Sequence, residues 1–136
     1  MFASVKTLLV CGALALAAAA QNINIALPTA LTSVNPGDNV TVQVEKPNSL
    51  TGSTEVGIAI GLKSCTGYTG GCDHSPHLVL GADLLLDEWY PYQNFTVTIP
   101  ESFQSGQAIL SATHLVLVGA GPYADTETVN QTITVA

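Results

Sequence analysis

The strongest constraint on the fold of this chain is a two-residue period that recurs along it, with no sustained helical period beside it. In "NVTVQVE" (39–45), Val40, Val42 and Val44 share one face, and Thr41, Gln43 and Glu45 share the other. "YQNFTVTIP" (92–100) sets Phe95, Val97 and Ile99 against Asn94, Thr96 and Thr98. "ETVNQTITV" (127–135) sets Val129, Ile133 and Val135 against Asn130, Thr132 and Thr134. Successive side chains of a strand point to opposite faces, so this alternation reads as strands with one face buried. "NPGD" before the first of them and "KPNS" after it supply the turn residues that bound a strand.

Other runs are less regular. "NINIAL" (22–27) alternates and meets Pro28. "EVGIAIGL" (55–62) places Val56, Ile58, Ile60 and Leu62 on one face and only Gly57, Ala59 and Gly61 on the other, which predicts close packing over the glycines. "HLVLGADLLL" (77–86) is apolar without a clear period and reads either as a strand interrupted near Gly81 or as two short pieces. "QAILSATHLVLV" (107–118) is apolar on both faces, as a central strand between layers would be. About seven strands at spacings of roughly a dozen residues predict a single antiparallel β-sandwich of immunoglobulin-like architecture. The Cys…Trp…Cys pattern of antibody domains is missing, and a cupredoxin-like or jelly-roll sandwich is the alternative.

The first twenty residues, "MFASVKTLLVCGALALAAAA", carry one positive charge, an apolar run and three alanines before Gln21. This is the layout of a secretory signal peptide, and the run is too short to span a bilayer. The expected organisation is a leader over 1–20 and one domain over 21–136, secreted to the extracellular space. Without the leader, Lys46 and Lys63 stand against ten acidic residues, a net charge near −8, and the chain has no arginine. Phosphate recognition then has almost nothing to work with, so nucleic acid and membrane insertion are not expected. In an oxidising compartment the two cysteines left after Cys11 is removed, Cys65 and Cys72, are expected to form a disulfide. Three Asn-x-Thr sequons, at Asn39, Asn94 and Asn130, each have the parity of a polar strand face and mark expected glycosylation sites.

The segment "KSCTGYTGGCDHSPH" (63–77) gathers Cys, Asp and His in fifteen residues. A structural zinc site would want closer ligand pairs than Cys65 and Cys72 supply, and a blue-copper site lacks its methionine outside the leader. Ligation through Asp73, His74, His77 and His114 is the competing reading. The favoured one makes His74 and His77 solvated loop residues and His114 a hydrogen-bonded core histidine, with no metal or other cofactor. Catalytic signatures are missing too: the chain has no G-x-S-x-G elbow, phosphate loop or H-E-x-x-H. Asp87 and Glu88 are adjacent, which on a strand points them apart rather than together as a glycosidase pair. The expectation is a protein without enzymatic activity. "DEWYPYQ" (87–93) is the candidate binding segment, with Trp89, Tyr90 and Tyr92 offered to a protein or sugar; the alternative buries Trp89 in the core.

"STEVGIAIGL" (53–62), "YQNFTVTIPESFQSGQAILSATHLVLVGAGPY" (92–123) and "NQTITV" (130–135) resemble the Nis1 family of small secreted fungal proteins, which are necrosis-inducing effectors. The matching motifs are strand and turn residues, so the resemblance bears on fold and family more than on mechanism. It implies an effector that suppresses pattern-triggered immunity in plant hosts by binding receptor-associated kinases, and that provokes cell death. No binding residue carries over one by one. A carbohydrate-binding or cell-wall module, with polysaccharide as partner, is the alternative function.

Overall fold

A computed structural model describes residues 23–46, 52–67, 72, 78–84 and 92–136 of the chain. Eight strands lie within the described residues: β1 (Asn24–Leu27), β2 (Ser33–Val34), β3 (Asn39–Glu45), β4 (Ser53–Ser64), β5 (Leu78–Leu84), β6 (Tyr92–Thr98), β7 (Gly106–Val118) and β8 (Tyr123–Val135). They form a three-stranded sheet of order β1-β3-β6 and a five-stranded sheet of order β2-β8-β7-β4-β5. The protein is all-β, as its two-residue period requires. Among the described residues no helix is long and apolar enough to cross a membrane.

Each regular run becomes a strand because its apolar parity meets a core. Val40, Val42 and Val44 of β3 and Phe95 and Val97 of β6 are buried from one side. Ile58, Ile60 and Leu62 of β4, Leu110 of β7 and Ile133 and Val135 of β8 are buried from the other, and all belong to one hydrophobic cluster. The "NPGD" turn closes as expected. Asp38 N donates to Asn35 O at 3.1 Å, Asn35 N donates to the Asp38 carboxylate at 2.8 Å, and Gly37 takes a φ of 87° that suits glycine.

The structure differs from the sequence reading in two respects. First, the described residues hold eight strands rather than about seven, and one neighbouring pair is parallel: β2 runs alongside β8, with Ser33 opposite Thr134 and Val34 opposite Val135. Two residues are too few to show a period. β2 exists because Thr134 N and Ala136 N donate to Thr32 O and Val34 O, which ties the segment after β1 to the large sheet. Second, β4 carries a bulge. Glu55 faces Val116 while Gly57 faces Leu115, so Val56 is an extra residue and the inward parity changes across it. Ile58, Ile60 and Leu62 point inward as expected, but at the start of the strand Glu55 is the buried residue and Val56 is only half-buried.

Candidate functional site

The bulge in β4 turns a carboxylate into the protein interior. The side chains of Glu55 and His114 are each 1% exposed. His114 has the inward parity of β7, alongside Leu110 and Ala112, and Glu127 lies directly opposite it on β8. The three side chains meet at the end of the domain where β3 finishes and β4 and β8 begin.

Their bonds form a chain. His114 Nε2 pairs with Glu55 Oε2, and His114 Nδ1 lies 3.1 Å from Glu127 Oε1. The other oxygen of Glu55 pairs with Lys46 Nζ and accepts from Ser53 Oγ at 2.9 Å. Lys46 Nζ also donates to Ser53 Oγ at 3.0 Å. Glu127 Oε1 in turn accepts from the backbone N of Ile23 at 3.0 Å, just ahead of β1. Lys46 and Ile23 adjoin strands of the small sheet, whereas Glu55, His114 and Glu127 sit on the large one. The network therefore joins the two sheets.

The electrostatics follow from these contacts. Burial opposes the charged form of Glu55, but the bonds from His114, Lys46 and Ser53 outweigh it and hold the carboxyl at about 2. Burial also opposes the imidazolium of His114, and there the two carboxylates prevail, raising its pKa above the ordinary 6.5. Because Glu55 and Glu127 approach opposite nitrogens of one ring, their oxygens do not converge on a common point. Among the described residues, no group of three or more His, Cys, Asp and Glu is arranged to hold a metal ion.

A second feature is an open groove of about 180 Å³ between β5 and β6, lined by Ile58, Ile60, Gly81, Phe95 and Val97. Both strands are sheet edges. Exposed apolar and aromatic side chains elsewhere include Leu78 and Val79 of β5, Tyr92 of β6 and Tyr123 of β8.

The residues singled out from sequence are scattered rather than gathered here. Cys65 and Cys72 form a disulfide with Cα atoms 5.0 Å apart, at the far end of β4 from Glu55. The chain-entropy estimate for an eight-residue loop is about 2.5 kcal/mol, so replacing both cysteines with serine should lower stability by about that amount. Equal urea midpoints for the two proteins would show that the loop is not a staple. Asn39, Asn94 and Asn130 are all exposed. Asn39 Oδ1 accepts from Thr98 Oγ1 at 2.7 Å, and Asn94 Oδ1 accepts from Gln43 Nε2 at 3.0 Å, both across the outer face of the small sheet. Tyr92 is 50% exposed at the first position of β6. Trp89, Tyr90, Asp73, His74, His77, Asp87 and Glu88 lie outside the described residues, as does the leader expected over 1–20.

Of the ionic network, only His114 stood out in the sequence, as a core histidine with a hydrogen bond. Glu127 was legible in principle, because its odd number places it on the face of Val129, Ile133 and Val135. Glu55 was not, since the bulge reverses its parity.

The chain matches the family model described as Nis1 family over residues 18–134. No curated protein matches it. Among solved structures it is similar to a variant of the superoxide reductase (neelaredoxin) from Ignicoccus hospitalis. The TM-score is 0.56 at 14% identity, with 88% of this chain and 83% of that one covered. A second variant of that protein gives 0.54 at 12% identity, covering 85% and 81%. A third structure of it gives 0.52 at 13% identity, covering 85% and 80%. At such identities the likeness concerns the fold alone.

Proposed function

Since this chain belongs to the Nis1 family, we propose that it is a secreted, non-enzymatic effector-type protein that works by binding a protein partner in a host. The family match over residues 18–134 carries this reading. Family membership implies suppression of pattern-triggered immunity through receptor-associated kinases, together with induction of cell death. In the finer reading of the fold, the two sheets form an immunoglobulin-like sandwich. Its support is one shared core between a β1-β3-β6 sheet and a larger sheet centred on the β7–β8 hairpin.

Two observations support binding rather than catalysis. The ionic network is internally satisfied: both oxygens of Glu55 and both nitrogens of His114 already have partners. A general base needs a lone pair within reach of a substrate proton, and Glu55 and His114, each 1% exposed and engaged within the network, are poorly placed to supply one. The surface displays side chains of the type that anchor protein contacts, Tyr92 and Tyr123 among them. Glycans on Asn39 and Asn94 would cover the outer face of the small sheet and one on Asn130 would cover part of β8 in the large sheet, which directs the partner to surface away from these three positions.

The test is a pull-down with the secreted, glycosylated protein against plant extract, run in parallel against chitin, glucan and cellulose. Recovery of receptor-associated kinases is the expected result, and an extract in which none is enriched would overturn the reading. The exposure of Tyr92 favours one alternative, a carbohydrate-binding module that also uses Trp89 and Tyr90. Retention on polysaccharide alone would establish it.

A further inference from the structure

We propose that Glu55, His114 and Glu127 form a pH-sensitive latch that holds the segment entering β1 against β8, closed while the imidazole carries both ring protons and loosened when it loses one. The latch stands on geometry and is independent of the proposed binding function.

His114 is 1% exposed and faces a carboxylate on each side, Glu55 from β4 and Glu127 from β8. Lys46, following β3, is a further charged group of the same network, and it is paired to the far oxygen of Glu55. A doubly protonated ring donates to both carboxylates at once. A neutral ring has one N–H and one lone pair, so it satisfies one carboxylate and turns a lone pair toward the other.

The side that yields is Glu127. Glu55 retains Lys46 and Ser53 and is 1% exposed, whereas the Glu127 side chain is 20% exposed and has water to turn to. Glu127 Oε1 is also the acceptor for Ile23 N, so its departure frees that amide. Ile23 is itself a core residue at 3% exposure, and β1 is a four-residue strand that, among the described residues, lies at the edge of its sheet and pairs with β3 alone. Loosening therefore starts at the N-terminal edge of the small sheet and leaves the central strands in place.

The sign follows from linkage. The folded pKa of His114 is raised, so its contribution is fully present below pH 6.5 and is lost as pH rises through the folded value. The folded pKa of Glu55 is lowered, so its contribution is present above 4.5 and is lost as pH falls toward about 2. The latch is closed between these limits, in mildly acidic solution.

The experiment is amide hydrogen exchange on the secreted protein from pH 5 to pH 9, corrected for the intrinsic pH dependence of exchange, with the His114 ring followed by NMR. Protection of the Ile23 amide should fall about five-fold or more as His114 deprotonates, the lower end of ordinary coupling between sites, while the Ile60 amide stays protected. In Glu127→Gln, which keeps an acceptor for Ile23 without the charge, Ile23 protection should become independent of pH while His114 still titrates. His114→Gln should give the same flat profile. The proposal is overturned if wild-type Ile23 protection is also flat, if Glu127→Gln retains the wild-type profile, or if His114 titrates at or below 6.5.

Discussion

Replacing Glu55 with alanine is expected to lower the unfolding free energy by about 3–5 kcal/mol, the usual cost of removing one partner from a buried ion pair. The carboxylate is 1% exposed and is the point where Lys46, Ser53 and His114 meet. Its removal leaves an ammonium group that is 16% exposed and an imidazole that is 1% exposed without their shared acceptor. With total stabilities of about 5–15 kcal/mol, such a loss is a large share of the whole. Glu55→Gln should cost distinctly less, because an amide oxygen still accepts from one of the three donors. Urea denaturation at pH 6 measures both. An alanine variant within about 1 kcal/mol of wild type would mean that the network contributes little to stability.

Replacing Leu110 with alanine should cost about 2–5 kcal/mol, through lost burial together with the cavity left behind. Leu110 is fully buried on β7, the strand flanked by β4 and β8 at the centre of the large sheet. Neighbours held in a ladder on both sides have little freedom to collapse into the space, which argues for the upper half of that range. Thr54→Ala, on an exposed position of β4, should stay within about 0.5 kcal/mol of wild type. If both variants melted together, the core assignment of β7 would be wrong.

The regular strands were legible because a two-residue period needs no knowledge of distant contacts. β3 and β6 pair along their whole length, from Asn39 opposite Thr98 to Glu45 opposite Tyr92, and their alternation already separated core from surface. Asn39, Asn94 and Asn130 fell on exposed positions for the same reason. "HLVLGADLLL" was ambiguous because its strand β5 carries an extra residue, Leu80, against β4: Ile60 faces Gly81, but Gly61 faces Val79. A bulge of this kind is a property of the pair, not of either segment.

The sequence by itself determined the all-β class, the parity of the regular strands, the polar outer faces and the family. These depend on local alternation and on motifs that survive without contact information. Tertiary structure decided the partners: β2 lying parallel to β8, the division of eight strands into sheets of three and five, and the bulge at Val56 that turns Glu55 inward. It also decided that Glu55 and His114, 59 residues apart, would meet between Lys46 and Glu127. A single extra residue in one strand reverses which side chains face the core, and only the register against a neighbouring strand shows where that residue lies.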